Sequence, residues 1–399
     1  MLKQNLMPET FFIEVNCQQK NYDGERICGD VFISQRVPGE DRTIVVLSDG
    51  MGHGVKANVL ATLTSTMALN FTREHKDINT IADIIMNTLP VCSVRKMSYS
   101  TFTIVDIEHN GDTRILEYDN PECFIMRGTQ HLEIEWQCVI LKSERNAGKE
   151  LKYCTFTPQK EDRIILWSDG VIQSGLGSPD LPFGWGNDAR DFVARMVKNE
   201  PDISARKLST KVVNMANNND GYHPKDDTSC VTIYFREPRK LLICSGPPYE
   251  KENDAKLAKL FKEFKGKKII SGATTVDIIS RELNLDITDT FEFNDPDLPP
   301  VSQMEGADLV TEGILTLSKV NEILTRFNET STLGNGPADQ IIKLILESDE
   351  IDFLIGTCIN IAHQDPSLPV ELEIRRTVIK RMAQILQEKF LKMVSIKFL

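Results

Sequence analysis

Four stretches of this 399-residue chain place aspartate where an apolar run ends or begins: Asp30 in ICGDVFIS, Asp49 in IVVLSDG, Asp169 in IILWSDG, and Asp226 with Asp227 in DDTSCVTIYF. A carboxylate at the end of a buried strand is costly to ionise unless something compensates it. Carboxylates gathered together suit hard cations such as magnesium or manganese, which take oxygen donors and keep several waters. The run SDGMGHG adds Gly50, Gly52, His53 and Gly54. Glycine at that density lets the backbone approach a ligand, and the Gly50 carbonyl is one more oxygen donor. For each aspartate alone, a turn cap or a solvated strand end is the competing explanation. Recurrence of an apolar run closed by Ser-Asp-Gly at Asp49 and Asp169 favours a shared site, while spacing leaves open whether these strand ends converge.

Elements that would position them follow from periodicity. TFTIVDIEHNGDTRILEYDN holds two β-rich runs around Asn110 and Gly111, the signature of a tight antiparallel hairpin. LKYCTFTPQKEDRIILWSDG and DDTSCVTIYFR add strands, and Val55–Phe71, Ile78–Leu89, Ala189–Lys198 and Ala205–Asn217 have helical spacing of apolar positions. Residues 1–236 therefore read as a layered α+β domain. After a polar linker at Glu237–Lys240 the grammar becomes strand, glycine turn, helix, in KLLICSGPPYEKENDAKLAKLFKEF, KKIISGATTVDIISREL and GADLVTEGILTLSKVNEILTRF. EIDFLIG followed by the periodic segment Val370–Phe390 repeats it. Residues 241–399 are expected to form a second α/β domain with a parallel, doubly wound, Rossmann-like sheet.

A net charge of -12 argues against a nucleic-acid partner, which needs a positive footprint. MLKQNLMPETFFIEV lacks the pattern of a signal peptide, and no stretch reaches the roughly 18 apolar residues of a membrane span, so the expected location is the cytoplasm. The nine cysteines, among them Cys17, Cys28, Cys92 and Cys154, include no CxxC pair and sit mostly in apolar runs. Reduced core thiols are expected rather than a disulfide framework or zinc site.

Taken in order, GD, SDGMGHG, WSDG and DDTSCVTI resemble the metal-dependent protein phosphatase family (PPM, type 2C), in its bacterial stage II sporulation E-like (SpoIIE-like) branch, over Glu14–Arg236. The resemblance implies a β-sandwich flanked by helices, two manganese or magnesium ions, and a metal-activated water that attacks phosphoserine or phosphothreonine. By position, it makes Asp49 the bridge between the ions with the Gly50 carbonyl beside it, Asp30 a ligand of one ion, and Asp169 and Asp226 ligands of the other. Asp227 would be an alternative or supporting ligand. The implied substrate is a phosphorylated bacterial signalling regulator, such as an anti-sigma-factor antagonist. Departures exist: Gln173 stands where many relatives carry an acid, and Arg26 and Gly29 stand where the eukaryotic branch has arginine and glutamate. Arg26 either binds substrate phosphate or is a surface arginine; His53 either supports the ligands and the leaving-group proton or packs the helix start. The loop GLGSPDLPFGWG, with Trp185, reads as a substrate or partner loop or as ordinary packing. Two other classes of function compete, a non-catalytic phosphoprotein- or ligand-binding scaffold and a small-molecule phosphohydrolase.

In the second half, SGPPYEKEND and SGATTVD put small residues before a helix, where amides and the helix dipole favour anions. Gly272, Thr274 and Thr275 are the candidate anion site, with helix capping as the alternative for each threonine. Neither a phosphate-loop lysine motif nor GxGxxG is present, and His363 with Asp365 belongs to a site or to a plain loop. The expected role of this half is regulatory, through a small anionic ligand or a protein, with room for a homodimer.

Overall fold

The computed structural model describes residues 11–37, 40–74, 77–88, 100–108, 111–140, 149–290, 294–327, 331–358, 371–390 and 392–399. The chain divides into two compact units, Met1–Glu237 and Pro238–Leu399.

The first unit runs β1 (Phe12–Lys20), β2 (Asp30–Arg36), β3 (Arg42–Gly50), α1 (Gly54–Arg73), α2 (Ile78–Thr88), β4 (Ser100–Glu108), β5 (Thr113–Tyr118), β6 (Phe124–Arg127), β7 (Gln130–His131) and β8 (Gln137–Ile140). It continues through β9 (Glu150–Phe156), β10 (Asp162–Trp167), α3 (Asp169–Ile172), α4 (Asp188–Asn199), α5 (Ala205–Asn219) and β11 (Thr228–Arg236). Two antiparallel sheets result, in the orders β1-β11-β10-β6-β7 and β2-β3-β4-β5-β9-β8. Side chains alternate across each strand, so Val45 and Leu47 of β3 meet Ile164 and Leu166 of β10 in the core between the sheets. Ile44 and Val46 point the other way, onto α1 and α2, and Ile165 and Trp167 pack beneath α4 and α5. The layers are helix, sheet, sheet, helix.

Arg42 fastens α1 at its far end. Its guanidinium donates to both oxygens of Asp106 at 2.7 and 2.8 Å and to the Thr72 carbonyl at 2.7 Å, so the end of α1 is tied to β3 and β4. The other end of α1 begins where β3 has just delivered Asp49 and Gly50.

The four anticipated helices are present, and β4 and β5 pair antiparallel as the hairpin reading requires. Asn110 and Leu89 lie outside the described residues. Asp169 does not close a strand: β10 stops at Trp167, and Asp169 opens the short helix α3.

The second unit contains β12 (Lys240–Ser245), α6 (Asp254–Glu263), β13 (Lys267–Ser271), α7 (Ala273–Leu283), β14 (Ile287–Asp289), β15 (Ser302–Met304) and β16 (Leu309–Thr311). Then come α8 (Ile314–Arg326), α9 (Pro337–Glu347), β17 (Glu350–Ile355), α10 (Glu371–Glu388) and β18 (Met393–Phe398). The sheet order is β14-β15-β16-β13-β12-β17-β18. Its five central and right-hand strands are parallel and doubly wound, with α8, α9 and α10 on one face and α6 and α7 on the other. The sheet is mixed rather than wholly parallel, because β14 and β15 add an antiparallel edge. Among the described residues no helix is long and apolar enough to cross a membrane.

Every described cysteine is a free thiol. Cys123, Cys154, Cys230 and Cys244 are buried, whereas Cys138 is exposed, so the core expectation does not hold for it; Cys92 lies outside the described residues.

Candidate metal centre

Asp30 opens β2 and Asp49 is the penultimate residue of β3, and the antiparallel register sets their backbones directly opposite each other. From the other sheet, α3 leaves the end of β10 with Asp169, while Asp226 and Asp227 lead into the neighbouring β11. Two carboxylates from one sheet and three from the other therefore meet at one end of the sandwich. Their mutual influence is visible in proton affinity. Burial pushes the Asp30 pKa up to about 7 despite hydrogen bonds from Ser229 and Ser168, and the charges of Asp227 and Asp169 add to the effect. Burial also raises Asp49 well above the ordinary carboxylate range, reinforced by Asp30, Asp169 and Asp226, and its carboxyl lies within hydrogen-bond reach of Asp169. Asp226 rises to about 6 through burial and the charge of Asp169.

These groups fit a cation. Asp30 Oδ1, Asp169 Oδ1 and Asp227 Oδ2 are buried and lack a hydrogen-bond partner, a costly condition that an oxygen-seeking ion would relieve. Their other oxygens are held: Asp30 Oδ2 accepts from Ser229 Oγ at 2.6 Å, Asp169 Oδ2 from Gln173 Nε2 at 3.0 Å, and Asp227 Oδ1 from the Tyr22 amide at 3.0 Å. Among the described residues, no group of three or more His, Cys, Asp or Glu side chains is drawn together closely enough to hold a metal ion as it stands, so the centre is a set of neighbouring donors rather than a coordination shell.

Glycine matters here through close approach. A Cβ on Gly50 would stand 2.0 Å from the Ala57 carbonyl oxygen, and one on Gly29 would stand 2.6 Å from Asp227 Oδ2 and 2.9 Å from the Ala57 Cβ. The first turns of α1 thus rest directly on the backbone that carries Asp30, Asp49 and the Gly50 carbonyl. Asn58 Nδ2 adds a 2.8 Å bond to the Cys28 carbonyl.

Several contributors are absent from the sequence reading. Ser229 is held by Gln19 Nε2 at 2.9 Å and in turn donates to Asp30; Ser168 accepts from the Ser229 amide at 2.9 Å. Ser168 directly precedes Asp169, a signal the sequence carries, whereas the link from Ser229 to Asp30 spans 199 positions and has none. Asp119, in the left-handed backbone region after β5, places its charge beside Asp169. Gln173, the departure from an acidic residue, clamps Asp169.

His53 is half-exposed; its Nδ1 lies 2.9 Å from Glu25 Oε1 and its ring stacks on Tyr22 at 4.2 Å. Arg26 is exposed in the β1–β2 loop, next to Glu25. Trp185 is not a contact residue of its loop: it is buried, edge-on to Phe192 in the core beneath α4, and Phe183, 90% exposed, is the aromatic that the loop presents. In the second unit, Thr275 is fully buried and its hydroxyl accepts from the Gly246 amide at 2.8 Å, while the Gly272 amide donates to the Thr311 carbonyl at 2.9 Å. Those two members of the candidate anion site are engaged in holding β12, β13 and β16 to α7, and Thr274 stands half-buried beside them. His363 and Asp365 lie outside the described residues.

Residues 39–236 match the family model described as stage II sporulation protein E (SpoIIE). Among solved structures, the PP2C phosphatase domain with a regulatory-domain fragment of the cell-fate determinant SpoIIE from Bacillus subtilis is 16% identical with a TM-score of 0.46, over 57% of this chain and 64% of that one. A SpoIIE phosphatase domain from the same organism, in a crystal form without domain swapping, is 16% identical with a TM-score of 0.43, over 57% and 94%. RsbX in complex with magnesium is 17% identical with a TM-score of 0.39, over 56% and 95%. This chain therefore spans less than two thirds of the first of these structures. No curated protein matches it.

Proposed function

On the premise that residues 39–236 carry a SpoIIE domain, we propose that this chain is a divalent-cation-dependent protein serine/threonine phosphatase acting on a phosphorylated bacterial signalling regulator. The observation that carries the reading is the meeting of Asp30 and Asp49 from one sheet with Asp169, Asp226 and Asp227 from the other, leaving three buried carboxylate oxygens unpartnered. Asp49 and the Gly50 carbonyl would serve two ions, manganese or magnesium, with Asp30 on one side and Asp169 and Asp226 on the other. Asp227, already holding the Tyr22 amide, has one oxygen to offer. When bound, such ions lower the pKa of water and neutralise phosphoryl oxygens. The protein's own part is to orient the donors: Ser229 and Gln173 fix one oxygen each on Asp30 and Asp169 and leave the other buried and without a hydrogen-bond partner, available to an ion.

Thiol chemistry is disfavoured at this place. Cys28 lies two residues before Asp30, and burial together with the charges of Asp30 and Asp227 raises its pKa far above the range of a reactive thiolate. Water, not a protein nucleophile, suits the site. Arg26, exposed in the β1–β2 loop, is proposed to meet the substrate phosphate. The second unit is proposed as a regulatory α/β module. The test is phosphate release from a phosphoserine peptide with added manganese, set beside nucleotide and sugar-phosphate substrates. Preference for the peptide supports the reading, and preference for a small phosphate ester overturns it in favour of a small-molecule phosphohydrolase.

A further inference from the structure

The β1–β2 loop crosses the acidic centre and touches both sheets' contributions to it. Tyr22 and Glu25 close a turn, with the Glu25 amide donating to the Tyr22 carbonyl at 3.0 Å. On one side, the Tyr22 amide donates to Asp227 Oδ1, the Asp23 amide donates to the Pro224 carbonyl at 3.0 Å, and Asp23 pairs with His223 at 2.9 Å. These contacts anchor the turn to the segment that leads into β11. On the other side, the Tyr22 ring lies flat on His53, 4.2 Å between centroids and 10° between planes, and Glu25 Oε1 lies 2.9 Å from His53 Nδ1. An ionised carboxylate has no proton to give, so Nδ1–H is the donor.

The Glu25 carboxylate does more than hold His53. Gly54, the first residue of α1, has φ +69°, and a Cβ on it would stand 2.8 Å from both Cδ and Oε2 of Glu25. The carboxylate is therefore seated against the opening of a 20-residue helix that has no side-chain cap from His53 and no acidic residue in its own first turn. A negative charge there complements the helix dipole and the unpaired amides. Glu25 supplies from a distant part of the chain what the helix lacks locally.

We propose that the Tyr22–Glu25 turn is a staple across the open end of the sandwich, and that Glu25 is a positioning residue for cation binding. One end of the staple fixes Asp227 and the other fixes His53 and Gly54, three and four residues after Gly50. The turn thereby sets the separation between donors carried by two different sheets, and Glu25 itself contacts no reacting atom. This inference rests on the cation-dependent reading above.

The contrast between two readouts tests it. Glu25 and His53 form a partly exposed pair, and such pairs add little to fold stability, so in Glu25→Ala the thermal midpoint without metal should stay within about 2 °C of wild type. Manganese affinity of the full chain, measured by calorimetric titration, should fall by about tenfold or more, as for other groups that orient metal ligands. Glu25→Gln keeps an acceptor for His53 but removes the charge at α1, and should lose less. Wild-type binding that Glu25→Ala leaves intact overturns the staple alone. A loss of affinity matched by a comparable loss of metal-free stability also overturns it, by making Glu25 a general fold contact. No manganese uptake by the wild type refutes the cation-dependent reading and this role with it.

Discussion

Replacing Asp30 with asparagine should stabilise the cation-free protein while removing its response to metal. Asp30 is 2% exposed, and burial, opposed by the Ser229 and Ser168 hydrogen bonds and reinforced by Asp227 and Asp169, moves its pKa from an ordinary 3.8 to about 7. The folded protein thus holds this proton more tightly than the unfolded chain does. The stabilisation belonging to that proton is complete below about pH 4 and is lost as the pH rises through about 7. At ~1.4 kcal/mol per pH unit, the raised proton affinity of Asp30 costs the cation-free fold about 4 kcal/mol at pH 8, where the group is ionised, and roughly 1 to 2 kcal/mol at pH 5, where the fold still keeps the proton that the unfolded chain has lost. Asparagine cannot ionise, and its carbonyl can still accept from Ser229 Oγ. For a unit of this size 1 kcal/mol moves the midpoint by about 2 to 4 °C, so Asp30→Asn should melt about 10 °C above wild type at pH 8 in chelator, with the gap shrinking to a few degrees at pH 5. Thermal unfolding followed by circular dichroism at both pH values, with chelator and then with manganese, is the assay. Manganese should raise the wild-type midpoint and leave the variant's nearly unmoved. A variant no more stable than wild type at pH 8 without metal, or a gap that does not narrow toward pH 5, would refute the reasoning.

Gly50→Ala should cost about 3 kcal/mol or more in urea denaturation and abolish manganese binding, because its Cβ would collide at 2.0 Å with the Ala57 carbonyl. Arg42→Ala leaves the buried Asp106 carboxylate to the longer 3.6 Å contact with Arg114 and frees the end of α1, so the urea midpoint should drop by an amount worth about 3 kcal/mol. Phe183→Ser, at a 90% exposed loop position, should leave stability within about 0.5 kcal/mol and p-nitrophenyl phosphate turnover unchanged while raising KM for a phosphoprotein; an unchanged KM removes the loop from substrate contact. Expressing residues 1–237 alone should change phosphopeptide turnover if the second unit regulates the first, and identical rates in both forms would remove that role.

The layered α+β character was legible from β-rich runs and helical spacing; Ile44–Leu47 and Ile164–Trp167 are apolar without a break because both faces of each central strand are buried, one against the other sheet and one beneath helices, and the pairing of two sheets came from the family likeness. The motif aspartates stood out because charge at the end of such a run needs a reason. Their meeting was supplied only by the family likeness, since strands 30, 49, 169 and 226 residues into the chain carry no local record of which ends adjoin. Ser229 and Gln19 were illegible for the same reason: their bond spans 210 positions. Trp185 follows the packing alternative for its loop: an indole beside Phe192 gains more from the core beneath α4 than from solvent, which a Gly/Pro-rich composition could not decide. In the second unit, β14, β15 and β18 escaped notice; the first two have three residues each, too few for a period to register.

The central claim is that hydrolysis runs through cations held by the converged carboxylates, with Asp49 between them. Phosphate release from a phosphoserine peptide, measured for wild type and Asp49→Ala at saturating manganese and again after chelation, tests it most directly. The account predicts turnover by wild type that depends on manganese and vanishes on chelation, with loss of about a hundredfold or more in Asp49→Ala. Turnover that survives both the chelator and the substitution would contradict it.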